Sequence, residues 1–345
     1  MYKVISIQDS LQLPNRLFID VRTPKEFAEG HLPGALNIPI FSNDERASVG
    51  TLYKQVSVDA AKQLGLEIVS PKLPDIIKTI TAYAKNHQIV IYCWRGGMRS
   101  KSIANILDML NVSVCQLAGG YKSYRRYVLD HLESFDLKPQ VLVLHGATGV
   151  GKTTMLNKLS SQGIPTINLE ELANHRGSVF GQIGLGNSTP MPMFETAILN
   201  LLEEFNNEPY FIVECESNRI GNVYIPKVLY QRMQSGKKIL VHASIPTRVQ
   251  RLIAEYSTND SIDKAKIQQG IQAISKNLGK KKTAFLLECL TNNHIEELVT
   301  TLLTDYYDLL YGFESPKNVA YDAIINAENL DQATAEFVAM VQNLK

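Results

Sequence analysis

The stretch Val141–Leu159, VLVLHGATGVGKTTMLNKL, runs from an apolar segment through a glycine-rich turn into a helical pattern. Gly146, Gly151, Lys152 and Thr153 have the spacing of a phosphate-binding loop (P-loop) in its strand-to-helix setting. The glycines let backbone N–H groups face phosphate oxygens at a helix N-terminus, where Lys152 adds a point charge. Gly146, Gly149, Gly151, Lys152, Thr153 and Thr154 are the candidate phosphate ligands, with Lys152 also a catalytic candidate. Thr153 offers a hydroxyl to phosphate or Mg²⁺. Downstream, PYFIVECES (Pro209–Ser217) reads as a second buried strand ending in Glu214 and Glu216. A carboxylate there positions Mg²⁺ or its water shell, so Glu214 joins Thr153 as a metal candidate. Lys237–Tyr256 reads as a strand and a helix bearing Arg248 and Arg251. Arg248 is a candidate phosphate ligand, and ion pairing with Glu255 is an equal alternative for both arginines.

Between these strands lies Asn174–Leu199, rich in Gly, Pro and Met and poor in charge. It reads as a substrate-covering loop with an apolar lining, marked by His175, Arg176, Phe180, Gln182, Phe194 and Glu195. After Ile253 the pattern is largely helical, then a strand within Asn318–Ala327 and a helix from Leu330 close the chain.

The first third alternates short β-rich runs (RLFIDV, ALNIPI, QIVIYC, VSVCQL) with helical stretches, including one around Thr51–Gly65. The alternation predicts a parallel sheet, with reactive groups at the carboxyl ends of its strands. Cys93 is at such an end, in IYCWRGGMRS (Ile91–Ser100). Two glycines and two arginines before a helix aim N–H groups and positive charge at the sulfur, which favours thiolate. The bland alternative is a strand-ending cysteine before an ordinary turn. Cys115, Cys215 and Cys289 have apolar surroundings that suit inert thiols.

Length and composition fit two globular domains: 345 residues, 45% apolar and 20% charged. The expected division is 1–135, with the Cys93 loop and a basic linker helix, and 136–345, the diphosphate-binding domain with a helical extension. No signal-peptide pattern or membrane-length apolar run is present, and no Cys-x-x-Cys occurs. A cytoplasmic location is expected, with no membrane or DNA partner. The net charge of +1 means that any nucleic acid must be held by a local patch. Lys122, Arg125 and Arg126, interleaved with three tyrosines in the linker helix, suit RNA phosphates and unstacked bases. Lys280–Lys282 are a second basic run, more simply a solvated face.

LFIDVRTPKEFAEGHLPGALNIP, YCWRGGMRS and LAGGYKSY together resemble a rhodanese domain, whose cysteine carries sulfur or selenium as a persulfide-type adduct. Asp20, Arg22 and Glu26 then form a supporting ion-pair network, with His31 structural and Gly34 in a turn. The Cys93-x5-Arg99 loop is one residue longer than in many sulfurtransferases and resembles rhodanese-related phosphatases. It leaves room for a tetrahedral phosphate in a nest of N–H groups from Trp94 to Arg99, clamped by Arg99. A phosphate-bearing chalcogen donor and dephosphorylation suit this loop equally.

FSNDERASVGTLYKQ, HRGSVFG and VECESNRIGNVYIP, added to the two loops, extend the resemblance to the tRNA 2-selenouridine synthase family over essentially the whole chain. The fold implied is α/β: an N-terminal rhodanese-like parallel-sheet domain and a C-terminal P-loop NTPase-like domain with helical additions. The activity implied is replacement of sulfur by selenium in wobble 2-thiouridine, using selenophosphate, through an intermediate S-geranylated from geranyl diphosphate. The tRNA anticodon arm and a selenophosphate donor system are the implied partners. Cys93, Arg95 and Arg99 would then handle selenium and its donor's phosphate. Lys152 and Mg²⁺ would stabilise leaving pyrophosphate, although ATP satisfies the same loop. An ATP-dependent tRNA sulfurtransferase, and a P-loop kinase or NTPase with a non-catalytic rhodanese module, are the rival readings.

Overall fold

Strands that are apolar at nearly every position cannot face water on either side, and two sets of them organise this chain. The computed structural model describes residues 1–256, 264–311 and 320–342. These form two compact units, Met1–Ser134 and Phe135–Lys345. Asn318 and Val319 of the expected last strand lie outside the described residues.

In the first unit the strands are β1 (Lys3–Ile5), β2 (Arg16–Asp20), β3 (Leu36–Asn37), β4 (Gln88–Tyr92) and β5 (Val114–Leu117). All neighbours pair in parallel in the order β1-β5-β4-β2-β3. β4 is central and buried from Ile89 to Tyr92, which places Cys93 at its carboxyl end. β1 was not anticipated: three residues on an exposed edge leave too short a pattern to read. The helical stretch around Thr51–Gly65 is two helices, Asn43–Gln55 and Val58–Val69. Ser57 divides them, because its side chain accepts the Ala60 N–H and so starts a new helix.

At the end of β2, Asp20 and Arg22 are 0% and 1% exposed. The Arg22 Nη2 atom donates to Asp20 Oδ2 and to the Gly30 carbonyl, each at 2.6 Å. Its guanidinium also lies 4.1 Å from the Tyr121 ring centroid. A buried pair of this kind is retained only with its hydrogen bonds complete.

The second unit contains β6 (Gln140–His145), β7 (Thr166–Ile167), β8 (Tyr210–Glu214), a β9–β10 hairpin (Arg219–Ile220, Val223–Tyr224), β11 (Lys237–His242) and β12 (Ala323–Asn326). Its parallel sheet runs β12-β11-β6-β8-β7. Leu142, Leu144, Ile212, Val241 and Phe337 share its core. A satellite cluster joins the helices Lys264–Ala273, Lys280–Thr291 and Ile295–Leu302 to Phe180 and Ile183.

The expected covering loop is irregular only as far as Pro190, and Met191–Phe205 is a helix. Pro192 in the first turn lacks an N–H that would be unsatisfied anyway, and Phe194, Ile198 and Leu202 repeat at helical spacing. Phe194 is therefore core, 0% exposed, and Glu195 rides on the same helix. Among the described residues no helix is long and apolar enough to cross a membrane.

Replacing Asp20 by Ala strands a buried guanidinium. A loss of about 3–5 kcal/mol from the first unit is expected, read as a fall in its urea midpoint.

Candidate active sites

Cys93 lies at the base of the loop between β4 and the helix Met98–Met109, and is 3% exposed. Its sulfur accepts the Gly97 N–H at 3.2 Å and the Ser100 hydroxyl at 3.3 Å. Gln116, on β5, donates to Ser100 Oγ at 2.9 Å and to the Gly96 carbonyl at 2.8 Å. Ser100 and Gln116 were not singled out from sequence; a serine next to Arg99, at the start of a helix, was the available signal.

The N–H groups of Trp94, Arg95, Gly96, Met98 and Arg99 make no hydrogen bond to protein among the described residues. The loop is buttressed from behind by the Gly119–Gly120 turn. A Cβ on Gly120 (φ +60°) would fall 2.2 Å from the Cys93 carbonyl oxygen, so a glycine is required there.

Arg99 lies beside the loop, but its two terminal nitrogens bind Glu26 at 2.6 and 3.1 Å. The expected three-residue network is thus two pairs, Asp20–Arg22 and Glu26–Arg99. Despite its burial, the Glu26 carboxyl is held below its usual range by Arg99. Arg95 is exposed, as is Trp94 (40%), whose ring rests 5.7 Å from Tyr121.

In the second unit Lys152 Nζ is 2.9 Å from the Gly146 carbonyl oxygen, curled over the P-loop. Thr153 donates to Glu170 at 3.1 Å, and the Glu170 N–H donates to Glu214 at 2.8 Å. Glu170 was missed in the sequence; it stands in the first turn of a short helix, Leu169–Ala173, after the two-residue β7.

Two arginines change role. Arg248 is 5% exposed and binds Asp308 through two contacts of 2.9 and 2.6 Å. Its Nε donates to the Thr148 carbonyl at 2.8 Å, so all three guanidinium nitrogens are engaged by protein and the side chain braces the P-loop. Arg251 likewise donates to the carbonyls of Val150 and Ala327. Glu255, the alternative partner, pairs instead with Arg176 at 2.7 Å.

The acidic residues here are crowded. Burial, then Glu170 and Glu216, hold the Glu214 carboxyl well above the usual range, and its Oε2 has no hydrogen-bond partner. Burial and Glu170 push Glu216 up to about 7. Glu170 is raised too, by burial against the pull of Lys152. No group of three His, Cys, Asp or Glu among the described residues could hold a metal alone. The unpartnered Glu214 oxygen, connected to Thr153 through Glu170, nevertheless fits Mg²⁺ that takes its remaining ligands from water and phosphate.

Next to the P-loop a small, largely apolar pocket opens, with a cavity volume of about 80 Å³. Thr148 of the P-loop lines it together with Phe180, Ile183, Leu252, Leu298 and Leu303. Of the covering segment, Ser178, Phe180 and Ile183 reach this pocket. Arg176 donates to the Ile183 carbonyl, Gln182 to the Gly186 carbonyl, and His175 accepts the Gly177 N–H, so these three hold the segment in shape. Phe180 packs so closely on Gly270 that a Cβ there would lie 2.3 Å from its ring.

The linker helix Gly120–Glu133 differs from expectation on one face. Tyr121 and Tyr124 are 4% and 3% exposed and belong to the core, because they share the helical stripe of Val128 and Leu132. They are not open to bases. Lys122 and Arg126 are exposed, Arg125 is half-buried, and Arg126 lies 3.5 Å from Asp130. In the later run, Lys282 pairs with Asp305 at 2.8 Å.

Residues 6–127 match the rhodanese-like domain family, and residues 139–342 match the family described as the tRNA 2-selenouridine synthase AAA domain. The tRNA 2-selenouridine synthase of Hydrogenovibrio crunogenus is 33% identical, with 90% of this chain and 92% of that protein covered. The Nitrosomonas europaea protein of the same name is 34% identical, with 89% and 91% covered. A crystallised N-terminal domain from Clostridium difficile 630 is 49% identical over 37% of this chain and 99% of its own, with a TM-score of 0.36.

The acidic cluster predicts a pH effect. Glu216 keeps its proton to about pH 7 when folded, against roughly 4.3 for an unfolded glutamate. Between those values the folded state binds more protons, so stability falls as pH rises through this window and levels off above it. Glu216→Gln is expected to stabilise the second unit by on the order of 2–3 kcal/mol at pH 8 and by little at pH 5. Urea midpoints of both proteins at the two pH values, without divalent cations, measure the difference.

Proposed function

The chain belongs to the tRNA 2-selenouridine synthase family, and on that premise we propose that its two units divide one exchange reaction between them. The exchange replaces the sulfur of a tRNA 2-thiouridine by selenium. In the second unit the P-loop holds the diphosphate of geranyl diphosphate, and the adjoining pocket takes its chain. The observation that carries this assignment is the apolar pocket meeting the P-loop at Thr148. A ligand with a diphosphate head and a hydrocarbon tail suits both halves of such a site.

The thiocarbonyl sulfur attacks the first carbon of the geranyl chain, and the carbon–oxygen bond to diphosphate breaks. The P-loop N–H groups and Lys152, freed from the Gly146 carbonyl, stabilise the charge on departing pyrophosphate. Thr153 and Glu214 would hold Mg²⁺, which would supply further positive charge against the leaving group. Alkylation also removes the N3 proton of the base and turns a poor sulfur leaving group into a good one. Selenium then adds to the ring carbon, and geranylthiol leaves. The first unit supplies that selenium from selenophosphate, with Cys93 as nucleophile and the nest of free N–H groups, together with Arg95 and Arg99, around the donor's phosphate.

Lys122 and Arg126 are the proposed tRNA contacts, with half-buried Arg125 behind them. Changing both exposed residues to Ala should lower the salt slope of tRNA binding by roughly 1.5, because two fewer phosphate contacts release fewer counterions. An unchanged slope in titrations at several salt concentrations places the RNA elsewhere.

The division of labour has a direct test in nucleoside mass analysis of tRNA treated with purified variants. Cys93→Ala should abolish 2-selenouridine while S-geranyl-2-thiouridine still forms. Lys152→Ala should stop geranylation, losing on the order of 1.5–3 kcal/mol of diphosphate binding besides any transition-state effect. Equal loss of both products in a folded, tRNA-binding Cys93 variant contradicts the division.

The wall formed by Phe180 on Gly270 yields a further expectation. Phe180→Ala should shift preference from geranyl toward farnesyl diphosphate by about tenfold, the equivalent of some two buried methylenes. Gly270→Ala, which drives the ring into the pocket, should weaken geranyl but not inorganic pyrophosphate binding. Calorimetric titration with the three ligands measures both effects.

A further inference from the structure

The oxidation state of the selenium donor restricts what Cys93 can do. In selenophosphate the selenium is already at the level of selenide, and phosphorus is at the level of phosphate. Passing selenium to a cysteine sulfur as a selenosulfide would require two electrons to leave the selenium. The only acceptor at hand would be phosphorus, which would depart as phosphite. Attack on phosphorus needs no such change.

We propose that Cys93 acts as a phosphatase-type nucleophile: its sulfur takes the phosphoryl group of selenophosphate and releases selenide, rather than accepting selenium itself. The proposal rests on the reading that selenophosphate binds in this loop. An S–P bond forms as the P–Se bond breaks, and the electron pair of that bond leaves with selenium as HSe⁻. Water then cleaves the S–P bond, returning the thiolate and inorganic phosphate. The selenide adds to the alkylated uridine in place of geranylthiol. Every atom and electron is accounted for with the substrates already named.

Three features of the loop carry this assignment independently of the donor. The spacing Cys93-x5-Arg99 leaves an arc of N–H groups, from Trp94 to Arg99, with no protein acceptor among the described residues except at Gly97. An arc of N–H donors around a recessed sulfur suits the three equatorial oxygens of phosphoryl transfer; a single selenium atom would leave most of those donors unused. The Glu26–Arg99 pair fixes a guanidinium beside that arc, at 2.6 and 3.1 Å. The third feature is the hydrogen-bond relay behind the sulfur. Gln116 donates to Ser100 Oγ, and Ser100 donates to Cys93 Sγ at 3.3 Å. A hydroxyl aimed at the sulfur stabilises negative charge there, as the second step requires when the thiolate leaves phosphorus.

The test incubates the full-length protein anaerobically with selenophosphate, quenches in acid and analyses the Cys93 peptide by mass spectrometry. Phosphoryl and selenium adducts have nearly the same mass, so the isotope pattern of selenium distinguishes them. The expected adduct lacks that pattern and gives a phosphocysteine resonance in ³¹P NMR. Ser100→Ala should raise the phosphorylated fraction at steady state by about tenfold or more, because it removes a hydrogen bond to a charged leaving group. A selenium isotope pattern on Cys93, or no phosphorus on Cys93 in either protein, overturns the proposal. Selenide release undiminished in Cys93→Ser overturns the underlying role of Cys93 as well, and so separates the two failures.

Discussion

The N–H groups that open a helix have no partner within it, and this chain leaves such groups exposed to ligand at two strand ends. After β4 and after β6, the turn into the following helix is kept from collapsing on itself by what is packed behind it. Gly120 lies against the Cys93 loop, and Arg248 and Arg251 take the P-loop's outward carbonyls. With the carbonyls taken from behind, the N–H groups remain available in front. Both loops follow from this one backbone constraint, although their side chains have nothing in common.

Buried ion pairs hold each arrangement. Asp20–Arg22 fixes the end of β2 beside the sulfur loop, and Arg248–Asp308 ties the P-loop to the helical additions. Such pairs contribute little net stability compared with apolar residues, but breaking one is expensive. Asp308 follows directly on a π-helical turn, Leu303–Tyr307, and both of those residues line the apolar pocket. The Arg248 guanidinium therefore links the P-loop to this wall of the pocket, which Thr148 also lines directly.

Both sheets, the cysteine at a strand end and the P-loop were readable because each rests on local rules: apolar runs, glycine spacing and strand-to-helix alternation. Long-range partners were not readable. Nothing in the spacing of Arg248 reveals that residue 308 will bury beside it, so an arginine on a helix after β11 looked like a phosphate ligand. Tyr121 and Tyr124 were assigned to RNA because composition was weighed without the helical stripe that buries them. Glu170 follows a two-residue strand too brief to register, and its nearness to Thr153 exists only once β7 pairs with β8. Ser100 and Gln116 are sixteen residues apart and meet only through the sheet.

Trp94 is the chain's sole indole, and it lies half out of the protein one residue from the Cys93 sulfur. All of the protein's tryptophan emission therefore originates at the lip of that loop. Its colour and intensity follow the local polarity there, while events at the P-loop add no second indole to the signal. A chain with two strand-end loops thus has an optical reporter on one of them alone.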